Sequence, residues 1–171
     1  MKAIAVSLPL TRKAIATLRA GDNVLLTGIL YTGRDAAHKK LTELLLEDKP
    51  LPIDIKGQTL YYVGPAPTKE GHAIGSAGPT SSYRMDKYTP QLLDAGLIGM
   101  IGKGKISLEV IESIKKHGAV YFGAAGGAAA LIAQSVVKSS VVAYEDLGPE
   151  AIHRFEVNDF PVIVLIDSQC H

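Results

Sequence analysis

Three consecutive hydroxyl residues, Thr80-Ser81-Ser82, stand directly before Tyr83 and Arg84. They belong to the run Gly75-Ser76-Ala77-Gly78-Pro79-Thr80-Ser81-Ser82-Tyr83-Arg84-Met85-Asp86. One hydroxyl is enough to cap the helix that follows, which is the ordinary use of such residues. Here Gly78-Pro79 fixes a turn that presents Thr80 as well, and Arg84 follows about one helical turn later. A cation beside a hydroxyl lowers the cost of transient alkoxide character. Unaided, a threonine hydroxyl is a very poor base. The run therefore reads as a functional loop more than as a helix start.

Two other loops carry cations. Tyr31-Thr32-Gly33-Arg34-Asp35-Ala36-Ala37-His38 joins a buried strand to a helix. Free N–H groups at a helix start favour an anion, and Arg34 adds a bidentate donor suited to a carboxylate. Asp35 is the N-cap or a first-turn acid. On this loop alone, a surface ion pair for Arg34 and a packed helix position for His38 is the simpler reading. Gly99-Met100-Ile101-Gly102-Lys103-Gly104-Lys105-Ile106-Ser107 falls one residue short of the phosphate-cradling loop. Gly99, Gly104 and Lys105 fit, but Ile106 stands where a hydroxyl belongs. Lys103 remains an anion contact at a strand end. Gly123-Ala124-Ala125-Gly126-Gly127 lacks the dinucleotide spacing. His38, His72, His117, His153 and His171 share no metal-ligand spacing, so no metal site is expected on this chain.

The elements that must position these loops follow from periodicity. Strands are predicted at 3–8, 23–31, 60–63, 97–101, 119–122, 137–144, 155–157 and 162–166, the last two parted by Pro161. Helices are predicted at 11–19 with Thr11 as cap, 35–47, 85–95, 107–117 ending at Gly118, and 126–136. Alternating strands and helices in the second half predict a partly parallel sheet under helices. The first half is richer in strands, so a mixed α/β fold with more than one sheet is expected. The chain has 171 residues, near the ~150 of one domain, so residues 1–171 are expected to form a single domain.

Composition narrows the function. Lys+Arg is 18 and Asp+Glu 17, a net charge of +1, which argues against a general nucleic-acid binder. No run reaches the ~18 apolar residues of a membrane span. The apolar start at Met1–Leu10 is too short for a signal peptide. The single cysteine, Cys170, makes no internal disulfide and no cysteine cage, and points to the cytoplasm.

At the hydroxyl-rich loop the sequence resembles the class I fumarase C-terminal region, shared with the β subunit of L-tartrate dehydratase. Gly-Ser-Ala-Gly-Pro-Thr-Ser-Ser-Tyr-Arg-Met-Asp at 75–86 carries the likeness first. Thr-Gly-Arg-Asp-Ala-Ala-His at 32–38, Met-Ile-Gly-Lys-Gly at 100–104 and Phe-Gly-Ala-Ala-Gly-Gly-Ala-Ala-Ala-Leu at 122–131 match in order. So do Ala143-Tyr144-Glu145-Asp146-Leu147-Gly148, Glu150-Ala151-Ile152 and Phe155-Glu156-Val157-Asn158-Asp159-Phe160-Pro161.

The resemblance implies an α/β fold of the mixed-sheet β/β/α swivelling type. It implies reversible hydration of a C4 dicarboxylate, fumarate to L-malate, or the related tartrate dehydration, by a hetero-oligomer. It implies a 4Fe–4S cluster held by a cysteine-bearing α subunit and not by this chain. By motif, substrate binding falls to Arg34, Arg84 and Lys103, and catalysis to Thr80 with Arg84. Where many members carry a second threonine, this chain has Ser81. A C4 dicarboxylate bears two negative charges, which three cations would neutralise while orienting the reacting carbons. Negative charge that develops next to a carboxylate is stabilised by fixed cations. The alternative of another class is a non-catalytic anion- or nucleotide-binding module built on residues 99–107.

Overall fold

The structure is a computed structural model and describes residues 3–65, 80–124 and 129–169. Its strands are β1 (Ile4–Ser7), β2 (Asn23–Thr32), β3 (Thr59–Tyr61), β4 (Gly99–Gly102), β5 (Val120–Ala124), β6 (Val136–Ala143) and β7 (Ile152–Ile166). Its helices are α1 (Arg12–Thr17), α2 (Asp35–Leu46), α3 (Thr89–Asp94), α4 (Leu108–His117) and α5 (Ala129–Ser135). Further 3-10 turns lie at Ser82–Met85 and within Glu145–Glu150, where Gly148 makes a kink.

Local signals set the helix ends. Thr11 Oγ1 accepts the Ala14 N–H at 3.1 Å to start α1, and Ser107 Oγ accepts the Val110 N–H at 3.3 Å to start α4. Gly118, in the left-handed conformation, ends α4, with Lys115, Lys116 and His117 in the last turn. Pro90 sits in the first turn of α3, where its missing N–H leaves no gap. That proline explains why the helix predicted over 85–95 splits into a 3-10 turn and the shorter α3.

The strands form one mixed sheet in the order β1-β2-β3-β4-β5-β7-β6, and a further β2–β7 pairing closes it. The closed ring is β2, β3, β4, β5 and β7, with β1 beside β2 and β6 beside β7. β1 to β5 run parallel to their neighbours, and β7 runs antiparallel to β2, β5 and β6. Every residue of β3 and β4 is buried, as expected of strands covered on both faces. Leu26, Leu30, Leu60, Ile101, Phe122 and Phe160 belong to one hydrophobic cluster. Ala37 and Leu41 of α2, Leu92 and Leu93 of α3, and Val110 and Ile114 of α4 are buried in it. Burying such a side chain contributes about 1.5–3 kcal/mol, and cutting Ile114 to alanine costs about 2–5 kcal/mol.

The mixed α/β class holds, but two expectations are corrected. Among the described residues there is one sheet rather than several, because β7 bridges the far strands. The two last predicted strands are one, since Pro161 does not break β7. Residues up to Val157 pair with β6 and residues from Val162 pair with β5, so Pro161 sits where that edge has no neighbour. Opposite Leu25 of β2 it leaves no ladder bond unmade.

Candidate functional site

β2, β3, β4 and β5 are mutually parallel, so their carboxyl ends lie on one rim of the closed sheet. Ligands in α/β folds bind outside such strand ends. The chain beyond each strand is laced to the next. The Gly33 N–H donates to the Tyr61 carbonyl at 3.0 Å, and the Tyr62 N–H to Ile101 at 2.8 Å. The Thr80 N–H donates to the Tyr62 carbonyl at 2.7 Å. Ser81 bridges Lys103 as a parallel rung, and the Ser82 N–H donates to the Lys103 carbonyl at 2.9 Å. Arg34 thus stands beyond β2, Thr80 beyond β3 and Lys103 beyond β4. The Gly75–Pro79 half of the hydroxyl-rich run lies outside the described residues.

Arg84 reaches back across the rim. Its Nε and Nη2 contact Asp35 Oδ2 at 3.1 and 3.0 Å. The pair is partly exposed, so it is worth no more than ~1 kcal/mol. It ties the 3-10 turn to the start of α2 and offsets much of the Arg84 charge. Arg34 is the N-cap of α2, with no capping bond from its side chain, and Asp35 is a first-turn acid. The helix start is not an open anion site, because Glu150 Oε1 accepts the Ala36 N–H at 3.3 Å. Arg34 Nε is buried without a partner among the described residues. Its side chain lies across Gly64: a Cβ there would meet Arg34 Cδ at 2.9 Å, Nη1 at 3.0 Å and the Pro149 carbonyl oxygen at 3.1 Å. The Lys103 side chain is exposed.

Beneath the rim runs a layer of buried polar groups. Ser82 is buried, and its Oγ accepts the Lys103 N–H at 3.1 Å. The Tyr121 hydroxyl lies 2.8 Å from Ser82 Oγ and 2.8 Å from the Gly104 carbonyl oxygen. Gly102 passes so close to Ser82 that a side chain there would collide with its Oγ. The Tyr62 hydroxyl meets Thr89 Oγ1 at 3.1 Å. Burial raises the pKa of Tyr62 and of Tyr121, so both hydroxyls stay protonated. His38 is buried, with Nδ1 2.7 Å from the Arg34 carbonyl oxygen and Nε2 unpartnered. Burial lowers its pKa to about 4.

The phosphate-loop reading of residues 99–107 fails on geometry. Gly99–Gly102 is buried strand. The N–H of Ser107, where a phosphate would dock, donates to Asp86 Oδ2 at 2.9 Å. A carboxylate already fills that helix start. Burial raises the Asp86 pKa, with the bond from Ser107 opposing it. Among the described residues no three His, Cys, Asp or Glu side chains converge as metal ligands. His117 Nε2 instead pairs with Asp94 at 2.7 Å, and His153 Nδ1 lies 3.3 Å from Thr32 Oγ1. No described helix is long and apolar enough to cross a membrane.

The structure brings Arg34, Thr80, Arg84 and Lys103 to one rim. Sequence reasoning passed over Ser82, Tyr121, Asp86 and His38 as site-supporting residues. Tyr121 was hidden inside an apolar strand pattern. Asp86 carried a usable signal, being the acid at the end of the 75–86 run.

Comparison with known proteins places the chain in a family. The family model described as Fumarase C-terminus matches residues 1–171. The chain is 47% identical to the aerobic class I fumarate hydratase of Escherichia coli (strain K12) over 146 residues, 84% of this chain and 27% of that protein. It is 39% identical to fumarate hydratase 2 of Leishmania major over 160 residues, 92% of this chain and 28% of that protein. It is 38% identical to the putative L(+)-tartrate dehydratase subunit beta of Methanocaldococcus jannaschii over 165 residues, 93% of this chain and 85% of that subunit. The chain thus spans little more than a quarter of these two fumarate hydratases.

Proposed function

We propose, from the premise that this chain belongs to the fumarase C-terminus family, that it is the substrate-clamping half of a hydro-lyase. The reaction is reversible addition of water across the double bond of a C4 dicarboxylate, fumarate to L-malate. The other half is a cysteine-bearing α polypeptide, and the assembly works in the cytoplasm. The supporting observation is that Arg34, the Thr80–Arg84 loop and Lys103, three stretches separate in sequence, lie around one rim of parallel strand ends.

In this reading the two substrate carboxylates are met by Arg34, Arg84 and Lys103. Arg34, whose buried Nε has no partner among the described residues, is the strongest receptor. Arg84 gives Nε and Nη2 to Asp35 and in this reading offers Nη1 to the substrate. Thr80 carries the proton that leaves or joins carbon next to a carboxylate. Negative charge that develops on that carboxylate is stabilised by the fixed cations. Because Asp35 offsets Arg84, this arginine helps a Thr80 alkoxide less than an unpaired cation would. A 4Fe–4S cluster does not fit the donors of this chain, whose only cysteine is Cys170. In this reading it is held wholly by the α polypeptide.

Co-expression with a class I α polypeptide, anaerobic assembly and a fumarate-consumption assay test the proposal. Fumarate hydration that collapses in Thr80→Ala is the expected result. No hydro-lyase activity in the assembled complex refutes it. A second reading, L-tartrate dehydration, is favoured by the match over 85% of the M. jannaschii β subunit. A parallel assay with L-tartrate separates the two.

A further inference from the structure

His38 lies one turn beyond Arg34 in α2, and none of its surface reaches solvent. Its Nδ1 is 2.7 Å from the Arg34 carbonyl oxygen. A carbonyl oxygen only accepts, so Nδ1 carries the ring proton and Nε2 a lone pair. The same oxygen accepts the His38 backbone N–H at 2.9 Å. Two donors of one residue thus hold one peptide group. That peptide group belongs to the N-cap, a position where arginine supplies no capping acceptor of its own.

The other nitrogen is the informative one. Nε2 is buried with no hydrogen-bond partner among the described residues. An apolar side chain would fill the space beside the rings of Tyr62, 5.1 Å away edge-on, and Tyr88, 6.0 Å away, without stranding an acceptor. What an apolar side chain lacks is the Nδ1–H. The groups facing the ring are Asp35 on its own helix, Tyr62 beyond β3 and Tyr88 ahead of α3. Burial keeps the ring neutral against the pull of Asp35 and the Arg34 carbonyl. It therefore adds no positive charge beneath Arg34.

We propose that His38 is a positioning residue for Arg34: its Nδ1–H pins the N-cap carbonyl and so fixes the backbone from which the guanidinium reaches across Gly64. The inference rests on the proposed function in so far as Arg34 receives a substrate carboxylate. Its structural half is tested without turnover. Long-range proton–nitrogen NMR on the full chain at neutral pH should show His38 as the Nδ1–H tautomer. An Nε2–H tautomer or an imidazolium overturns it.

Its functional half is tested in the assembled complex with fumarate. His38→Leu should raise KM about tenfold, the worth of one net hydrogen bond, and leave kcat within about threefold. His38→Asn places an amide N–H near the Nδ1 position and should recover most of the lost KM. Equal damage from both variants, a loss confined to kcat, or an unchanged KM overturns the proposal. If His38→Leu does not fold, His38→Gln, whose amide reaches the Nε2 position, replaces it in the comparison. An inactive wild-type complex would refute the hydro-lyase reading and leave the tautomer result standing.

Discussion

Replacing Gly64 with alanine adds one methyl group at the point where Arg34 crosses the chain beyond β3. The new carbon would lie 2.9 Å from Arg34 Cδ and 3.0 Å from Nη1. Carbon–carbon contacts are best at about 3.5–4.0 Å, so the overlap with Cδ is about 0.6 Å. The Pro149 carbonyl oxygen, 3.1 Å away, bounds the same space with backbone. The arginine is the softer neighbour and gives way. Overpacking costs about 1 kcal/mol when a side chain can move aside, so the variant folds with a slightly lowered midpoint. The guanidinium, however, is displaced by roughly 1 Å, a shift that can cost as much as ~100-fold in kcat/KM. The assay is steady-state fumarate hydration by the assembled complex, run with Gly64→Ala, Arg34→Ala and the double variant. Both changes act through one side chain, so Gly64→Ala should cost almost nothing once Arg34 is gone. An undiminished loss in the Arg34→Ala background, or a wild-type KM for Gly64→Ala alone, refutes the reasoning.

Other expectations concern stability. Tyr121→Phe leaves Ser82 Oγ and the Gly104 carbonyl without their shared hydroxyl and should cost about 1–3 kcal/mol in denaturant titration, with the Lys103 loop loosened. The His38 pKa falls on folding from 6.5 to about 4, so the fold holds the neutral ring. Its stability is full above pH 6.5 and is lost as pH falls through 4, by about 3 kcal/mol in all. His38→Asn should flatten that acid limb in thermal melts taken across pH. Asp86 has the opposite sign: its pKa is raised on folding, so its contribution is full below 3.8 and is lost as pH climbs through the raised value. Asp86→Asn keeps an acceptor for the Ser107 N–H and should remove that loss, seen as a smaller melting difference between acid and neutral pH.

Local chemistry was legible in the sequence, and long-range closure was not. Thr11, Ser107 and Gly118 mark helix ends by rules that act within a few residues, and the structure follows them. The closure of the sheet depends on β7 meeting β2, β5 and β6 at once, and no local pattern records such a meeting. Pro161 misled because a proline breaks a strand only where its N–H would have had a neighbour. At the site, Arg34, Thr80, Arg84 and Lys103 were marked by motif and spacing. The Arg84–Asp35 pair was not foreseen, nor was Glu150 at the start of α2, since both contacts span distant segments. His38 was read as a packed helix residue. It is packed, but only the fold reveals which of its nitrogens is bonded and which is stranded.

The stretch from Thr80 to Asp86 is sewn to Tyr62, Lys103, Tyr121, Asp35 and Ser107, on different strand ends and helix starts. Shifting this seam would break several hydrogen bonds at once. It behaves as an anvil. A bound molecule on this rim would meet a surface already set.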